Sequence, residues 1–334
     1  MTYQSTTSME QLAERVMSAE TIVCTSHEKP DGDAMGSVLG VVRSLGDSHA
    51  MHAWMLGSIP PPIEALARGT ALTRIREAAD VPDLEPDLIL VLDTGAWGQL
   101  RPIEQWLRDR SDRVIGIDHH ASGDPVAPAR VVDASAASCT MLALQLLDCV
   151  GRPLIPEVAE PLFAGLATDT GWFRQANADA AAFAVAARLL ATGVDKDGLH
   201  REIEETARRP RLALQARALA SIEWIHGGQV ALMQLTRDDF EETDGRRSDV
   251  TGMVNAPLIV EGSEMGVLLI EEKEGGVKAS FRSKPPATPG GAFLDARNAA
   301  THLGGGGHVH AAGARIEGTM LEAKRAVEAA LKAL

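Results

Sequence analysis

The stretch from His27 to Asp33 (HEKPDGD) puts one histidine and two aspartates within seven positions, directly after the apolar run 21–24. The same juxtaposition recurs twice. Asp93 follows the run 88–92 (LILVL), and Asp118, His119 and His120 follow 114–117 (VIGI). A helical run over 156–167 then leads into Asp169. Gathered in one crevice, these five aspartates and three histidines would repel one another and lose hydration unless cations neutralised them. Asp and His without thiolate form a hard oxygen and nitrogen donor set, which suits Mn²⁺, Mg²⁺ or Fe²⁺ better than a structural zinc. Two such ions about 4 Å apart suit in-line attack on phosphorus. A lone carboxylate at a strand end also caps helices and starts turns, so Asp93 taken singly leaves both readings open.

Delivering these groups to one place requires strands that end together. Runs 21–24, 51–56, 88–92 and 114–117 are short and apolar, with helical stretches such as 37–45 and 102–108 between them. That alternation predicts βαβ units and a mostly parallel sheet with helices on both faces, whose ligand sites lie beyond the carboxyl ends of the strands.

The pattern changes after the Ala-rich amphipathic stretch 180–194. A polar, charged segment, 195–211, reads as a connector, giving a first domain over 1–190, a linker over 191–210 and a smaller α+β domain over 211–334. The second domain has strand-like runs at 230–235, 265–270 and 277–283 and a helical run at 321–334. Its distinctive stretch, 302–314, contains Gly304, Gly305, Gly306 and Gly307, followed by His308 and His310. Four glycines permit positive φ and close approach to an anion, though they also serve as a packed turn. Arg282 has a planar fork suited to phosphate, though a strand arginine is also an ordinary surface residue.

Composition narrows the classes. The 334 residues are 45% hydrophobic, enough for a sizeable core and favouring two domains. Residues 1–200 carry 27 acidic against 15 basic side chains, and 201–334 carry 19 against 17, so the net charge of −14 sits mostly in the first part. Such a surface is poorly suited to tracking long nucleic acid by counterion release. Cys24, Cys139 and Cys149, an odd number without a CxxC pair, argue against a disulfide framework and fit a reducing cytosol. No basic leader and no apolar run of about 20 residues is present, so a cytoplasmic protein without membrane insertion is expected. Trp97 and Trp172 lie nearest the motifs and are available for base stacking, although packing is the commoner use of such residues.

Taken together, HEKPDGDAMGS, VLDTG, IDHHAS, ATDTGWFR and GGGGHVHAAGA, in this order across nearly the whole chain, resemble the DHH phosphoesterase superfamily, and within it the two-domain oligoribonucleases and 3'-phosphoadenosine 5'-phosphate (pAp) phosphatases. The resemblance implies two divalent metal ions, Mn²⁺ first and Mg²⁺ or Fe²⁺ as alternatives. His27 and Asp31 would hold one, Asp33, His119 and Asp169 the other, and Asp93 would bridge them. His120 would contact the scissile phosphate and Asp118 would orient the neighbouring histidines. Arg282, His308 and the glycines Gly305, Gly306 and Gly307 would hold the substrate's far end, and Arg174 would face a cleft between the domains. Ser37, Thr94 and Thr170 read as turn and supporting hydroxyls rather than nucleophiles.

The implied activity is hydrolysis of short RNA or DNA oligonucleotides to 5'-mononucleotides, together with dephosphorylation of pAp, by a monomer or homodimer. A cyclic di-AMP or pApA phosphodiesterase uses the same architecture. A family II pyrophosphatase lacks the glycine-rich element, and a RecJ-like exonuclease needs further domains. A catalytically inactive nucleotide- or RNA-binding module is expected to have lost part of the metal set, which is intact here.

Overall fold

A computed structural model describes residues 3–286, 288 and 291–333. The chain forms two compact units, one ending at Thr206 and the other beginning at Ala207.

The first unit runs α1 (Met9–Ser18), β1 (Thr21–Thr25), α2 (Gly32–Leu45), β2 (Ala50–Leu56), α3 (Pro61–Glu64), β3 (Leu72–Ile75), β4 (Leu88–Leu92), α4 (Glu104–Arg108), β5 (Val114–Asp118), β6 (Ala129–Val132), α5 (Cys139–Val150), α6 (Pro156–Asp169), α7 (Ala180–Leu190) and α8 (Lys196–Glu204). Its six strands are all parallel, in the order β3-β2-β1-β4-β5-β6. This doubly wound order reverses direction between β1 and β4, and a crevice opens at such a reversal. In β4, Leu88, Leu90 and Leu92 join one core while Ile89 and Val91 join the other, so every residue of the run is buried. That is why the strand reads as a continuous apolar run. Both faces are covered, but unequally. Helices α1, α2, α5, α6 and α7 pack on one face, whereas short 3₁₀ turns and α4 (Leu100, Ile103, Leu107) cover the other.

One packing seam positions the site. Gly32, Gly36 and Gly40 are spaced four apart on α2, and a Cβ at Gly36 would lie 2.3 Å from the Pro161 carbonyl of α6. A Cβ on Gly165 of α6 would meet Thr140 Cγ2 at 2.4 Å and the Asp33 Cα at 3.1 Å. Glycine is therefore required for α2 and α6 to approach this closely, and the approach brings the start of α2, with Asp33, beside the end of α6, with Asp169. Asp31 opens α2 as its N-cap, accepting from the amides of Asp33 and Ala34, so the helix begins five residues before the predicted 37.

Part of the segment read as a linker is folded. Helix α8 lies inside 191–210, and its Leu199 and Ile203, four apart, are buried in the first unit's core. Its high charge concealed this two-residue apolar stripe.

The second unit runs α9 (Arg209–Ala220), β7 (Glu223–Ile225), β8 (Val230–Leu235), α10 (Arg237–Thr243), β9 (Met265–Glu271), β10 (Val277–Ser283), α11 (Ala296–Thr301), β11 (Gly306–His308), β12 (Ala311–Ile316) and α12 (Met320–Lys332). The mixed sheet has the order β11-β12-β10-β9-β8-β7, with β8 and β9 its parallel pair. Helices α11 and α12 cover one face, while α9 and the 3₁₀ turn Met253–Ile259 cover part of the other.

Candidate metal centre

Asp93 leaves β4 with φ +61°, a left-handed backbone that Asp tolerates better than most side chains, while its amide still donates to the Ile117 carbonyl. The carboxylate is 2% exposed and stands between two imidazoles. Its Oδ2 lies 3.4 Å from His27 Nε2, and its Oδ1 lies 3.4 Å from His119 Nε2. That Oδ1 is buried without a hydrogen-bond partner, a costly state for a carboxylate oxygen unless a cation takes it.

Both imidazoles are held from behind. His27 Nδ1 is 2.9 Å from the Glu28 carbonyl and His119 Nδ1 is 3.2 Å from the Ala136 carbonyl. A carbonyl only accepts, so each Nδ1 carries the proton and each Nε2 is left as a free donor atom, the usual support for a metal-ligating histidine. Asp33, 1% exposed, is fixed by the start of α5. Its Oδ2 accepts from the Cys139 amide at 2.6 Å and its Oδ1 from the Thr140 amide at 2.9 Å.

Two donor groups follow among the described residues. His27, Asp31 and Asp93 can bring one ligand atom each within 4.8 Å of one another, as can Asp33, His119 and Asp169. Asp93 adjoins both through its two oxygens. A third grouping, Asp93 with His119 and His120, is weaker. His120 Nδ1 lies only 2.7 Å from Asp118 Oδ1, against 3.9 Å from Asp93 Oδ1.

The protein groups alone show the charge problem. Burial by itself would depress the His27 and His119 imidazoles, but the adjacent Asp93 carboxylate outweighs it, and Asp33 and Asp169 add to the effect at His119. Each is pushed up to about 9. Burial likewise opposes ionisation of Asp93, yet the two histidines overcome it and keep the carboxylate ionised. Asp33 is raised by burial and by the charges of Asp93 and Asp169, and Asp169 is raised to about 6, again chiefly by burial. The donor set, its burial and the orphaned Asp93 oxygen fit a pair of hard divalent cations.

The second unit holds a separate cavity of about 530 Å³, whose lining includes Arg247, Lys278, Ser280, Arg282 and Gly306. Arg282 is therefore where an anion could meet several cations. Sequence reasoning missed Arg247, which has no local signal, and Lys278, whose only signal was alternation along β10, where Lys278, Ser280 and Arg282 share one face. His308 is exposed on β11.

The glycines divide into two roles. The Gly304 and Gly305 amides donate to the Thr301 and Ala300 carbonyls, closing α11, so they are not presented to a ligand. Gly307, at φ +143°, would put a Cβ 2.5 Å from the Ala311 carbonyl in the β11–β12 hairpin, whereas Gly306 is open and lines the cavity. Arg174 is exposed and donates to the Gly171 carbonyl.

The tryptophans considered for stacking are engaged. The Arg108 guanidinium lies 3.9 Å over the Trp97 ring. Trp172 Nε1 donates to Glu204, and its ring packs against Phe163 and His200. All three cysteines are free, Cys24 and Cys139 buried and Cys149 exposed. Among the described residues no helix is long and apolar enough to cross a membrane.

Residues 21–166 match the DHH family, N-terminal domain, and residues 227–334 match the DHHA1 domain. A Thermus thermophilus protein named bifunctional oligoribonuclease and PAP phosphatase NrnA is 33% identical over 94% of this chain and 89% of its own length. A Bacillus subtilis protein of the same name is 25% identical over 89% and 90% of the two chains. The solved structure of an exopolyphosphatase-related protein from Bacteroides fragilis superposes with a TM-score of 0.84 at 27% identity, covering 97% of this chain and 95% of that one.

Proposed function

The chain belongs to the DHH phosphoesterases, in their two-domain NrnA type, and from that premise we propose that it hydrolyses short oligoribonucleotides to 5'-mononucleotides and removes the 3'-phosphate of pAp. The observation that carries the reading is Asp93, a buried carboxylate shared by two imidazoles, with a complete donor group on either side. His27, Asp31 and Asp93 would hold one divalent cation, and Asp33, His119, Asp169 and Asp93 the other. Mn²⁺ is the first choice for this hard, mixed donor set. Bound there, the pair would neutralise the carboxylates, lower the pKa of an attacking water and balance charge on the phosphoryl oxygens.

The protein's own groups supply the rest. Side-chain nucleophiles are absent from this scheme, since the Ser37 hydroxyl is buried in α2, Thr94 donates to Gln99, and Thr170 donates to the Leu166 carbonyl. Water is then the nucleophile. Asp118 holds His120 at Nδ1, leaving Nε2 of a half-exposed ring to donate to a phosphoryl oxygen. The Asp118 hydrogen bond raises the His120 pKa, which favours that donor form. Arg282, with Arg247 and Lys278 beside it, would grip a second phosphate. His308 and Gly306 would complete the hold on the substrate, and Arg174 is a further candidate for it. A grip on a terminal phosphate favours short substrates over long strands, in keeping with an acidic surface.

The test is hydrolysis by purified protein with Mn²⁺ of RNAs of two, five and twenty-four residues, beside pAp, pApA and cyclic di-AMP. Stepwise release of mononucleotides from the two shortest RNAs, together with turnover of pAp, is expected. Preference for the 24-mer or for cyclic di-AMP would overturn the substrate assignment, and no turnover of any of them would leave a binding module.

A further inference from the structure

We propose that Tyr3 is a positioning residue for hydrolysis, which acts through Asp118 to hold the His120 ring in its working tautomer and orientation. The inference rests on the role given above to His120 and extends the site by a residue 115 positions distant in sequence from its partner.

Asp118 has two oxygens, and its side chain is 2% exposed. His120 occupies only one of them. Its backbone amide reaches Oδ1 at 3.1 Å and its ring Nδ1 reaches the same atom at 2.7 Å. The other oxygen, Oδ2, accepts from the Tyr3 hydroxyl at 2.8 Å. A buried carboxylate with one oxygen unpaired is costly and free to turn about its own torsion, and any turn would carry the His120 ring with it. With both oxygens engaged, the carboxylate plane is fixed and the imidazole has one orientation.

The surroundings are shaped for a tyrosine here. Gly95, two residues after Asp93, and Gly123, three after His120, leave a slot that the phenol fills. A Cβ at Gly95 would come within 2.0 Å of the Tyr3 hydroxyl oxygen, and one at Gly123 within 2.8 Å of its ring. The Arg130 guanidinium lies 5.4 Å over the ring's centroid. Burial first, then the charge of Asp118, push the phenol above its ordinary pKa, so it remains a donor throughout the working pH range.

Anchoring of this segment does not explain the hydroxyl. Ser5 bonds both the carbonyl and the amide of Val132 through its side chain, and Thr6 pairs with Arg130 and Pro128. Residues 5 and 6 are thus already fastened along β6.

Tyr3→Phe removes only the oxygen. The experiment measures kcat and KM on a five-residue RNA, Mn²⁺ affinity by calorimetry, and the ¹⁵N shifts of His120, for the wild-type protein and for Tyr3→Phe, His120→Ala and the double variant. Expected are a fall in kcat of about tenfold with KM and Mn²⁺ affinity little changed, loss of the Nδ1–H signature at His120, and no further loss when Tyr3→Phe is added to His120→Ala. Gly123→Ala, which pushes on the ring from outside the site, should reproduce the kcat effect. Unchanged kcat in Tyr3→Phe, or an equal added loss in the His120→Ala background, would overturn the proposal. If His120→Ala itself kept full kcat, the role of His120 in hydrolysis would fall and that of Tyr3 with it. The ¹⁵N shifts would then still report separately whether Tyr3 orders the ring.

Discussion

The candidate metal centre of the first unit and the cavity of the second are built by opposite means. Around Asp93 almost every functional atom has a dedicated partner behind it. Backbone carbonyls hold His27 and His119, two α5 amides hold Asp33, and Asp118 holds His120. Around Arg282 the lining is a sheet face carrying Lys278, Ser280 and Arg282 beside Arg247 and its ion-pair partner Glu272, with Gly306 open at the edge and apolar side chains such as Leu268 and Ile270 behind. Chemistry at phosphorus demands a fixed arrangement within tenths of an ångström, which only interlocked short side chains provide. Gripping a phosphate demands charge within reach, which flexible arms supply.

Breaking each region should therefore give a different signature. Asp93→Asn removes the shared charge between the donor groups, and hydrolysis of every substrate should fall by at least about 10³-fold, measured as kcat on RNA and on pAp alike. Arg282→Ala should instead raise KM by about tenfold to a hundredfold with a smaller change in kcat, read from initial rates against pAp and a dinucleotide. A kcat loss in Arg282→Ala as large as that in Asp93→Asn would erase the contrast between the regions.

A third substitution acts through the helix packing of the first unit. Gly36→Ala places a methyl against the Pro161 carbonyl, so α2 and α6 must separate, at a cost of about 1–3 kcal/mol. The melting temperature should drop, and Mn²⁺ affinity should drop with it, because Asp33 and Asp169 move apart. Gly304→Ala, in the second unit, should lower the melting temperature through its φ of +73° while leaving Mn²⁺ affinity unchanged.

The smallest effect is on pH dependence. With the metal chelated, His27 and His119, raised to about 9, contribute stability that is fully present below their ordinary value near 6.5 and lost as pH rises through 9. Chemical denaturation of the chelated protein should therefore show declining stability from pH 7 to 10, and Mn²⁺ should flatten the decline. Mn²⁺ must also displace those protons. Calorimetry in buffers of different ionisation heat should show proton release at pH 7 that fades toward pH 9.

What the sequence made legible follows the same division. The strands at 21–24, 51–56, 88–92 and 114–117 are all present, most plainly β4 and β5, whose residues are buried throughout and so leave an unbroken apolar signal. The half-exposed strands β3 (LTRI) and β6 (ARVV) carry no such signal and escaped notice. The beginning of α2 was hidden because glycines every fourth residue read as loop. Their reason lies in α6, more than a hundred positions later, where tertiary packing overrides helix propensity. The eight acid and imidazole groups were legible as candidates because they fall in short stretches at or just beyond the end of a strand or helix. Tyr3 was not, because its partner is 115 positions away and a lone tyrosine has no local pattern to reveal it. Arg247, likewise, meets Arg282 only through the fold of the second unit.

Two cations sharing Asp93 would be visible by anomalous diffraction from crystals grown with Mn²⁺, with data collected at the manganese edge. Two peaks roughly 3.5–4 Å apart are expected, one beside His27 and Asp31, the other beside Asp33, His119 and Asp169, with an Asp93 oxygen on each. A single peak, or two peaks of which one lies away from Asp93, would rule out a carboxylate shared by two cations.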